Sequence, residues 1–198
     1  MAWNGTATSR RETEPSTPAD EAALFTRVLA GDRHAFEALY RAYHPRLTRF
    51  LVNLIRRPQI VQEVLNDTMM VVWTRPDSFH GASRLSTWIF AIAYRKAMKA
   101  LRRTEDAVED GQANARVSPD AGPEQHLDDQ RRGEILSTAI GQLSADHRAV
   151  VDLTYFHGLG YREIARIMDC PVDTVKTRMF HARRHLRRML AGEPADWL

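Results

Sequence analysis

Residues 160–176 read GYREIARIMDCPVDTVK, and this stretch decides the fold of the C-terminal part of the chain. Its apolar residues recur every three or four positions on both sides of a break at Asp169-Cys170-Pro171, which predicts two helices joined by a tight turn. The side chains expected to point inward are Tyr161, Ile164, Ala165 and Met168, then Val172, Val175, Met179, Ala182 and Leu186. Because Ala165 is small, the second helix can cross the first closely, as in a helix-turn-helix that docks in the DNA major groove.

A basic face lies opposite the apolar stripe of the second helix. Five residues share that side of the helix by its period, namely Lys176, Thr177, Phe180, His181 and Arg184. Lys, Thr and His contact base edges or phosphates, and Phe packs on thymine methyl groups. The flanking arginines suit phosphates, and they are Arg178, Arg183, Arg187 and Arg188. The alternative is an amphipathic helix with a solvated basic face, but the half-motif that precedes it favours DNA binding.

The rest of the C-terminal part is predicted to be helical as well. The apolar pattern resumes at Arg131, which predicts a domain of four helices over residues 131–190. Ser144 precedes the second of these helices and is a residue type that caps helix N-termini. The segment His157-Gly158-Leu159-Gly160 supplies a turn before the helix-turn-helix.

The N-terminal part, residues 20–103, shows helical periodicity and no alternating strand pattern, so we predict an all-α protein of two small domains. The pattern is interrupted three times, and we expect helices to end at Gly31-Asp32, His44-Pro45 and Pro58. A later helix is expected to begin near Ser83 or Ser86, both good capping types, and to run to Arg103.

An acidic segment separates the two helical parts. Residues 104–130 contain eight acids and one base and so carry −7, which leaves +10 for the rest of a chain whose net charge is +3. The acids are Glu105, Asp106, Glu109, Asp110, Asp120, Glu124, Asp128 and Asp129. With its glycines and prolines, this segment is predicted to be a flexible linker. Basic domains on an acidic connector suit a protein that faces a polyanion, although solvated surfaces and linkers carry charge in any case.

Composition excludes several classes of protein. The single cysteine, Cys170, excludes an intrachain disulfide framework and fits a reducing compartment. Neither a signal peptide nor an apolar run of about 18 residues is found, so we expect a cytoplasmic protein without membrane insertion. Residues 1–19, rich in Ser, Thr, Pro and Glu, and residues 191–198 are predicted to be tails.

A second basic stretch lies in the N-terminal domain. Residues 79–103 combine aromatic side chains with six bases and no acid. Aromatic and cationic groups together suit single-stranded nucleic acid, because bases stack on the rings while the cations contact phosphates. A core helix that simply buries Trp88 and Phe90 is an equally good interpretation of this stretch alone.

Three motifs in order resemble the extracytoplasmic function (ECF) family of RNA polymerase sigma factors. The first is VQEVLNDTMMVVW at residues 61–73, and the second is Phe-x-Gly followed by Ser-Thr-Trp-Ile within residues 79–89. The third is Leu-Ser, Tyr-x-Glu-Ile-Ala, Pro-Val and Thr-Val-Lys-Thr-Arg within residues 143–178. The resemblance covers residues 20–190 and implies an alternative sigma factor without catalysis of its own.

The resemblance also implies site residues and partners. Contacts to the polymerase clamp are expected from Glu63, Asn66, Asp67 and Met70. Capture of the −10 element is expected from His80, Ser83, Arg84, Ser86, Thr87, Trp88, Tyr94, Arg95 and Lys99. Duplex reading of the −35 element is expected from Lys176, Thr177, Arg178, Phe180, His181 and Arg184. The partners implied are core RNA polymerase, promoter DNA and an anti-sigma factor, with no cofactor and no metal.

Some positions depart from the family pattern. Gly160 replaces the usual Ser or Thr and is a weaker cap. Asp67 replaces the usual Glu and keeps the charge, whereas Asp173 replaces a small residue near the expected path of a phosphate. Tyr94 and Arg95 stand where Arg and Asn are common, which leaves the −10 specificity open.

Two other classes of function compete with this interpretation. A stand-alone transcription regulator could use the same C-terminal domain, but residues 20–103 show no ligand-pocket pattern. An enzyme could use His181 and His185, which lie four residues apart on one helix, a spacing that suits a metal. Their arginine neighbours would repel a cation, and neither Cys170 nor His44 belongs to a recognisable catalytic motif.

Overall fold

The computed structural model describes residues 18–109 and 127–190, and over these ranges the protein is helical. The helices are α1 (Pro18–Leu29), α2 (Arg33–Ile55), α3 (Pro58–Thr74), α4 (Leu85–Glu109), α5 (Leu127–Gly141), α6 (Ala145–Tyr155), α7 (Tyr161–Met168) and α8 (Val172–Leu190). A 3-10 turn, Pro76–Ser78, follows α3. The prediction of an all-α fold is confirmed for this part of the chain.

Helices α1–α4 form the N-terminal bundle. Its centre is apolar, with Leu39, Leu47, Phe50, Leu65 and Ile89 fully buried. Burying side chains of this size stabilises a fold by about 1.5–3 kcal/mol each relative to leaving them in water. A polar contact attaches α1 to this core, because the Tyr43 hydroxyl donates to Glu21 at 2.9 Å.

The break predicted at Gly31-Asp32 is confirmed, and the residues show why the chain turns there. Gly31 adopts a φ of +80°, which costs glycine little because it has no Cβ. The Asp32 carboxylate then caps α2 by accepting from the backbone N–H groups of His34 at 2.9 Å and Ala35 at 3.2 Å. These hydrogen bonds, foremost the one from Ala35, lower the pKa of Asp32.

The break predicted at His44-Pro45 is wrong, because α2 continues through Pro45. Pro45 lies on the exposed side of the helix, so the carbonyl group that loses its amide partner can bond to water instead. The opposite side of α2 is held in the core by Tyr43 and Leu47. Core packing on both sides of Pro45 therefore outweighs the local cost of the missing hydrogen bond.

Other helix ends also differ from prediction. Helix α4 starts at Leu85, between the two serines near which its start was predicted. Neither Ser83 nor Ser86 is its N-cap, because the first carbonyl that accepts a helical hydrogen bond is that of Arg84. Helix α4 extends beyond Arg103 to Glu109, and α5 begins at Leu127. Both ends of the predicted linker are therefore helical, because no glycine or proline stops α4 before residue 110. The N-terminal tail was predicted to span residues 1–19, but Pro18 and Ala19 belong to α1. Residues 1–17, the predicted tail 191–198 and the middle of the linker, 110–126, lie outside the described residues.

Helices α5–α8 form the C-terminal bundle, in agreement with the predicted four helices. Ser144 caps α6, accepting from the backbone N–H of His147 at 3.3 Å. The core contains Val150, Leu153 and Ile164, all fully buried. The two bundles also contact each other, with α2 packed on α6 and α4 packed on α7. Within the described ranges no helix has the length and apolarity that crossing a bilayer requires.

Candidate nucleic-acid and polymerase interfaces

The helix-turn-helix consists of α7, the turn Asp169-Cys170-Pro171 and α8. Asp169 adopts the left-handed conformation with φ of 51°, and its N–H bonds to the carbonyl of Ala165. Gly160 offers no side-chain cap, but Glu163 replaces part of it by accepting from the Gly160 N–H at 3.2 Å. Ala165 is buried, as expected for a small residue where two helices cross.

Five of the six residues predicted to read the −35 element stand exposed on one side of α8. Phe180 is 62% exposed, which is unusual for a large apolar side chain that has no partner to cover it. Lys176, Thr177, His181 and Arg184 are exposed beside it. Lys176 lies 2.9 Å from Asp173 in this arrangement, so a DNA phosphate would compete with that acid for the ammonium group.

The sixth residue, Arg178, lies elsewhere. Its guanidinium pairs with Asp146 of α6 and also donates to the Cys170 sulfur at 3.7 Å. With 25% of its side chain exposed, Arg178 lies at the edge of the contact between the bundles. The exposed −35 face therefore does not include it in this conformation.

The residues predicted to bind the −10 element divide into exposed and covered groups. His80, Arg84, Arg95 and Lys99 are exposed, and the last two share one side of α4 at a spacing of four. Trp88 and Ser83 are half-buried, whereas Ser86, Thr87 and Tyr94 are buried. The Trp88 ring packs on Phe25 and Phe79, with centroids 5.7 Å and 5.4 Å away. The core interpretation of Trp88 is thus partly correct, since the side chain packs on two rings and is still partly exposed.

The loop that precedes α4 is contacted by the helix-turn-helix. Arg84 lies 3.5 Å from Glu163 of α7, and Arg166 donates to the carbonyl of Ala82 at 3.1 Å. Both contacts join the loop before α4, which includes the predicted −10 residue Arg84, to α7, the first helix of the helix-turn-helix. No local sequence pattern indicates such a contact, since the residues lie about 80 positions apart.

The four predicted polymerase contacts form one exposed face of α3. Glu63, Asn66, Asp67 and Met70 follow each other at three- and four-residue spacing, and all four are exposed. Met70 is 58% exposed. Asp67 lies 3.1 Å from Lys96 of α4, an exposed pair of little energetic value that a partner can break.

An aromatic surface that sequence reasoning missed borders this face. The Trp73 ring lies 5.0 Å from that of Phe36, and Tyr40 lies 6.4 Å from Phe36 on α2. All three rings are half-buried. A detectable signal was available, because Trp73 follows Asn66 by seven residues and therefore falls on the same helical stripe.

Comparison with known proteins decides what this arrangement is. Residues 39–107 match the family described as Sigma-70 region 2, and residues 133–186 match Sigma-70, region 4. The RNA polymerase sigma-H factor of Pseudomonas aeruginosa is 30% identical over 187 residues, covering 88% of this chain and 95% of that protein. The ECF RNA polymerase sigma-E factor of Escherichia coli K12 is 31% identical over 170 residues, covering 81% and 88%. This chain belongs to the ECF family of RNA polymerase sigma factors.

Solved structures agree with the assignment. The sigma factor RpoE of Bartonella quintana, solved in complex with the anti-sigma factor NepR, is 26% identical with a TM-score of 0.61, covering 76% of this chain and 92% of that one. CnrH, solved in complex with the cytosolic domain of CnrY, shares the fold with a TM-score of 0.64 at 22% identity, covering 88% of this chain and 99% of that one.

As an ECF sigma factor, the protein is a transcription initiation factor and not an enzyme. It binds core RNA polymerase and recognises the −10 and −35 elements of promoter DNA. The N-terminal bundle contains region 2 and the C-terminal bundle contains region 4. The competing interpretations as a stand-alone regulator or an enzyme are thereby set aside.

Regions 2 and 4 of this sigma factor meet in a closed arrangement with a polar centre. Asp146 of region 4 accepts from the Tyr94 hydroxyl at 2.6 Å and also pairs with Arg178. Burial, followed by the hydrogen bond to Asp146, raises the pKa of Tyr94 far above its usual value. Tyr94 therefore remains a hydroxyl donor at every physiological pH. One acid thus holds a residue predicted for the −10 element and one predicted for the −35 element.

A second set of contacts lies at the other end of the interface between regions 2 and 4, which we call the seam. His157 of region 4 packs its ring against Phe90 and Phe50 of region 2, with centroids 4.7 Å and 6.1 Å away. Asp152 lies 3.2 Å from the His157 ring and accepts from the Asn53 amide of region 2 at 2.6 Å. The Asp152 and His157 side chains are 6% and 5% exposed, so these polar groups are withdrawn from water.

Beside these contacts lies a largely apolar cavity of about 250 Å³, lined by both regions. Its walls include Val52, Val61, Leu136, Ile140 and Phe156. Region 4 therefore covers part of region 2 through specific contacts and not through a loose encounter.

Proposed function

We propose that the exposed side of α8 reads the −35 element of the promoter in duplex form. The observation that carries this proposal is the common orientation of Lys176, Phe180 and Arg184, with Thr177 and His181 between them, on the second helix of an HTH. A helix in this position enters the major groove, where Lys, Thr and His meet base edges and Phe meets thymine methyl groups. Arg178 joins the set as a phosphate contact once it leaves Asp146.

Region 2 is proposed to capture the non-template strand of the −10 element. Arg95 and Lys99 stand on one exposed side of α4 and supply cations for the phosphates. The partly exposed Trp88 offers a ring for an unstacked base beside His80, Ser83 and Arg84. Ser86, Thr87 and Tyr94 are buried in this arrangement and would join the contact only after a rearrangement. Binding the unpaired strand and not the duplex shifts the equilibrium toward the open promoter.

The exposed face of α3 is proposed as the polymerase contact. Glu63, Asn66 and Asp67 supply polar and acidic groups, and Met70 supplies an apolar one. The adjoining ring of Trp73 extends the same stripe. Aromatic residues and methionine are enriched in protein interfaces, which supports docking on this side.

The closed arrangement is proposed to be the free form of the protein, which opens on core polymerase. Tyr94 and Arg178 cannot contact DNA while both are bound to Asp146. A polymerase that holds regions 2 and 4 at the spacing of the two promoter elements must therefore separate them. A further consequence is that the isolated chain binds promoter DNA weakly.

An anti-sigma factor is proposed to hold the protein inactive in the cytoplasm. The support comes from the similar RpoE of Bartonella quintana, which was solved in complex with the anti-sigma factor NepR. A partner that binds the closed arrangement in preference to the open one would suppress initiation in proportion to that difference in affinity.

Reconstitution with core polymerase tests the proposed function. The full chain is mixed with core enzyme and promoter DNA, and transcript start sites are mapped. We expect Met70→Asp to weaken capture by core polymerase at least about tenfold, because a charge replaces an exposed apolar anchor. Glu37→Ala, on the exposed side of α2, serves as the control and should leave capture unchanged. Initiation at no defined start site would overturn the proposal.

A further inference from the structure

A polar pocket of about 290 Å³ lies beside the exposed −35 face, between the first turn of α6 and helix α8. Five basic or titratable side chains line it, namely His147 from α6 and His181, Arg184, His185 and Arg188 from α8. The chain around Ser144 closes its remaining side. His181 and Arg184 belong to the set predicted to read the −35 element, and Arg188 is one of the flanking arginines predicted to contact phosphates, whereas His147 and His185 were assigned to neither.

The composition of the pocket favours an anion over a metal ion. Two arginines line it, and they repel a cation. Within residues 18–109 and 127–190, no group of three or more His, Cys, Asp or Glu side chains is arranged to hold a metal. The rings of His147 and His181 are 6.3 Å apart between centroids, a separation at which both can face one anion.

The hydrogen bonding of His185 leaves one donor in this pocket unused. Its Nδ1 lies 3.2 Å from a guanidinium nitrogen of Arg188. Because arginine only donates, Nδ1 must accept, and the ring proton of neutral His185 is therefore on Nε2. Nε2 has no hydrogen-bond partner among the described residues, although it is shielded from solvent. A buried donor of this kind is costly unless an acceptor arrives.

The protonation of His147 depends on the groups that face it. Burial, and after it the neighbouring His181, lowers the pKa of His147. Arg178 and His185 act in the same direction, while Asp146 opposes them. Without an anion, the pocket therefore disfavours the imidazolium form. A bound phosphate would reverse this balance, because a negative charge stabilises the protonated ring.

We propose that this pocket binds a backbone phosphate of the promoter duplex beside the −35 element, that neutral His185 donates to this phosphate through Nε2, and that His147 takes up a proton when the phosphate binds. This inference rests on the proposed role of α8 in reading the −35 element. It extends the DNA contact from α8 to the first turn of α6. Since the bound state carries more protons than the free state, promoter affinity rises as the pH falls and is lost as the pH rises.

Binding of promoter DNA at several pH values tests this proposal. Holoenzyme made from the full chain and core polymerase is titrated with a promoter duplex between pH 6.0 and 8.0 at constant ionic strength. One fully linked proton changes the dissociation constant about tenfold per pH unit, so we expect affinity to rise about three- to tenfold toward pH 6.0. His147→Gln should reduce this change to less than about twofold, whereas His185→Gln should lower the affinity at every pH and keep the pH dependence. His34→Gln, an exposed histidine on α2, is the matched control and should keep the full pH dependence.

A chemical change in the DNA provides a second measurement that does not depend on the variants folding. Methylphosphonate replaces single phosphates along the −35 element and removes their charge. One such replacement should abolish the pH dependence of the unchanged protein. A pH-independent affinity, or a pH dependence that survives every replacement, would overturn the proposal while leaving −35 reading intact. Absence of promoter binding at every pH would instead refute the proposed role of α8 and this inference with it.

Discussion

The contact between Asn53 and Asp152 offers a direct way to open the closed arrangement. The Asn53 amide donates across the seam to Asp152 at 2.6 Å, and Asp152 is only 6% exposed. A hydrogen bond to a charged acceptor stabilises by about 1.5–3 kcal/mol. Because Asn53 and Asp152 meet only when regions 2 and 4 are in contact, Asn53→Ala should destabilise the closed form by about that amount. The ratio of closed to open molecules then falls about 10- to 150-fold.

Two measurements on the free chain check this prediction. Spin labels at Ala38 on α2 and Arg187 on α8, both exposed, report the separation of the two regions once Cys170 is replaced by Ser. Asn53→Ala should add a population at longer distance. The affinity of the free chain for a −35 duplex should rise with the fraction of open molecules, since Arg178 becomes free to contact a phosphate only in the open form.

A matched variant separates opening from general destabilisation. Glu37→Ala removes a polar contact from the same helix, the ion pair with Arg41 at 2.6 Å, but that pair is exposed and lies within region 2. It should change neither the distances nor the DNA affinity. If Asn53→Ala likewise leaves both unchanged, the closed arrangement is not held by this contact and the reasoning fails.

Three further predictions concern other parts of the chain. Phe180→Ala should weaken binding of holoenzyme to a promoter by about 1–2 kcal/mol. Capture by core polymerase should stay the same, because Phe180 is 62% exposed and packs on nothing essential to the fold. An unchanged dissociation constant for the promoter would contradict this prediction. Burial raises the pKa of the Cys170 thiol, so its alkylation should be slow in the free chain and should accelerate in Asn53→Ala, as followed by mass spectrometry. Pro45→Ala should raise the free energy of unfolding by about 1–3 kcal/mol in denaturant titrations, because it restores a helical hydrogen bond on the exposed side of α2. A lower free energy of unfolding would show instead that Pro45 stabilises the native helix.

Much of the fold was accessible from the sequence because its helices are amphipathic and their turns carry specific residues. The helix-turn-helix could be located from the spacing around Ala165 and the break at Asp169-Cys170-Pro171. The cap at Ser144 followed from residue type alone. Pro45 misled the prediction because a local rule was outweighed by packing on both sides of it, which no local pattern records.

The candidate sites were predictable to the extent that they lie on single helices. The polymerase face of α3 and the −35 face of α8 follow from helical period, and the structure places their residues together. The seam between regions 2 and 4 was not predictable, since it joins residues such as Asn53 and Asp152 that are 99 positions apart. His147 escaped notice for the same reason, because its position beside His181 depends on how α6 packs on α8.

The position of Asp146 has a consequence for how the molecule responds to its partners. Both of its carboxylate oxygens are occupied, one by Tyr94 and the other by Arg178. Displacing region 2 leaves the pair with Arg178 more solvated and therefore weaker, so release of the first group promotes release of the second. Separation of regions 2 and 4 is thus coupled, through the single side chain of Asp146, to the release of Arg178. Tyr94 and Arg178 are therefore released together, whereas the exposed side of α8 is already accessible in the closed arrangement.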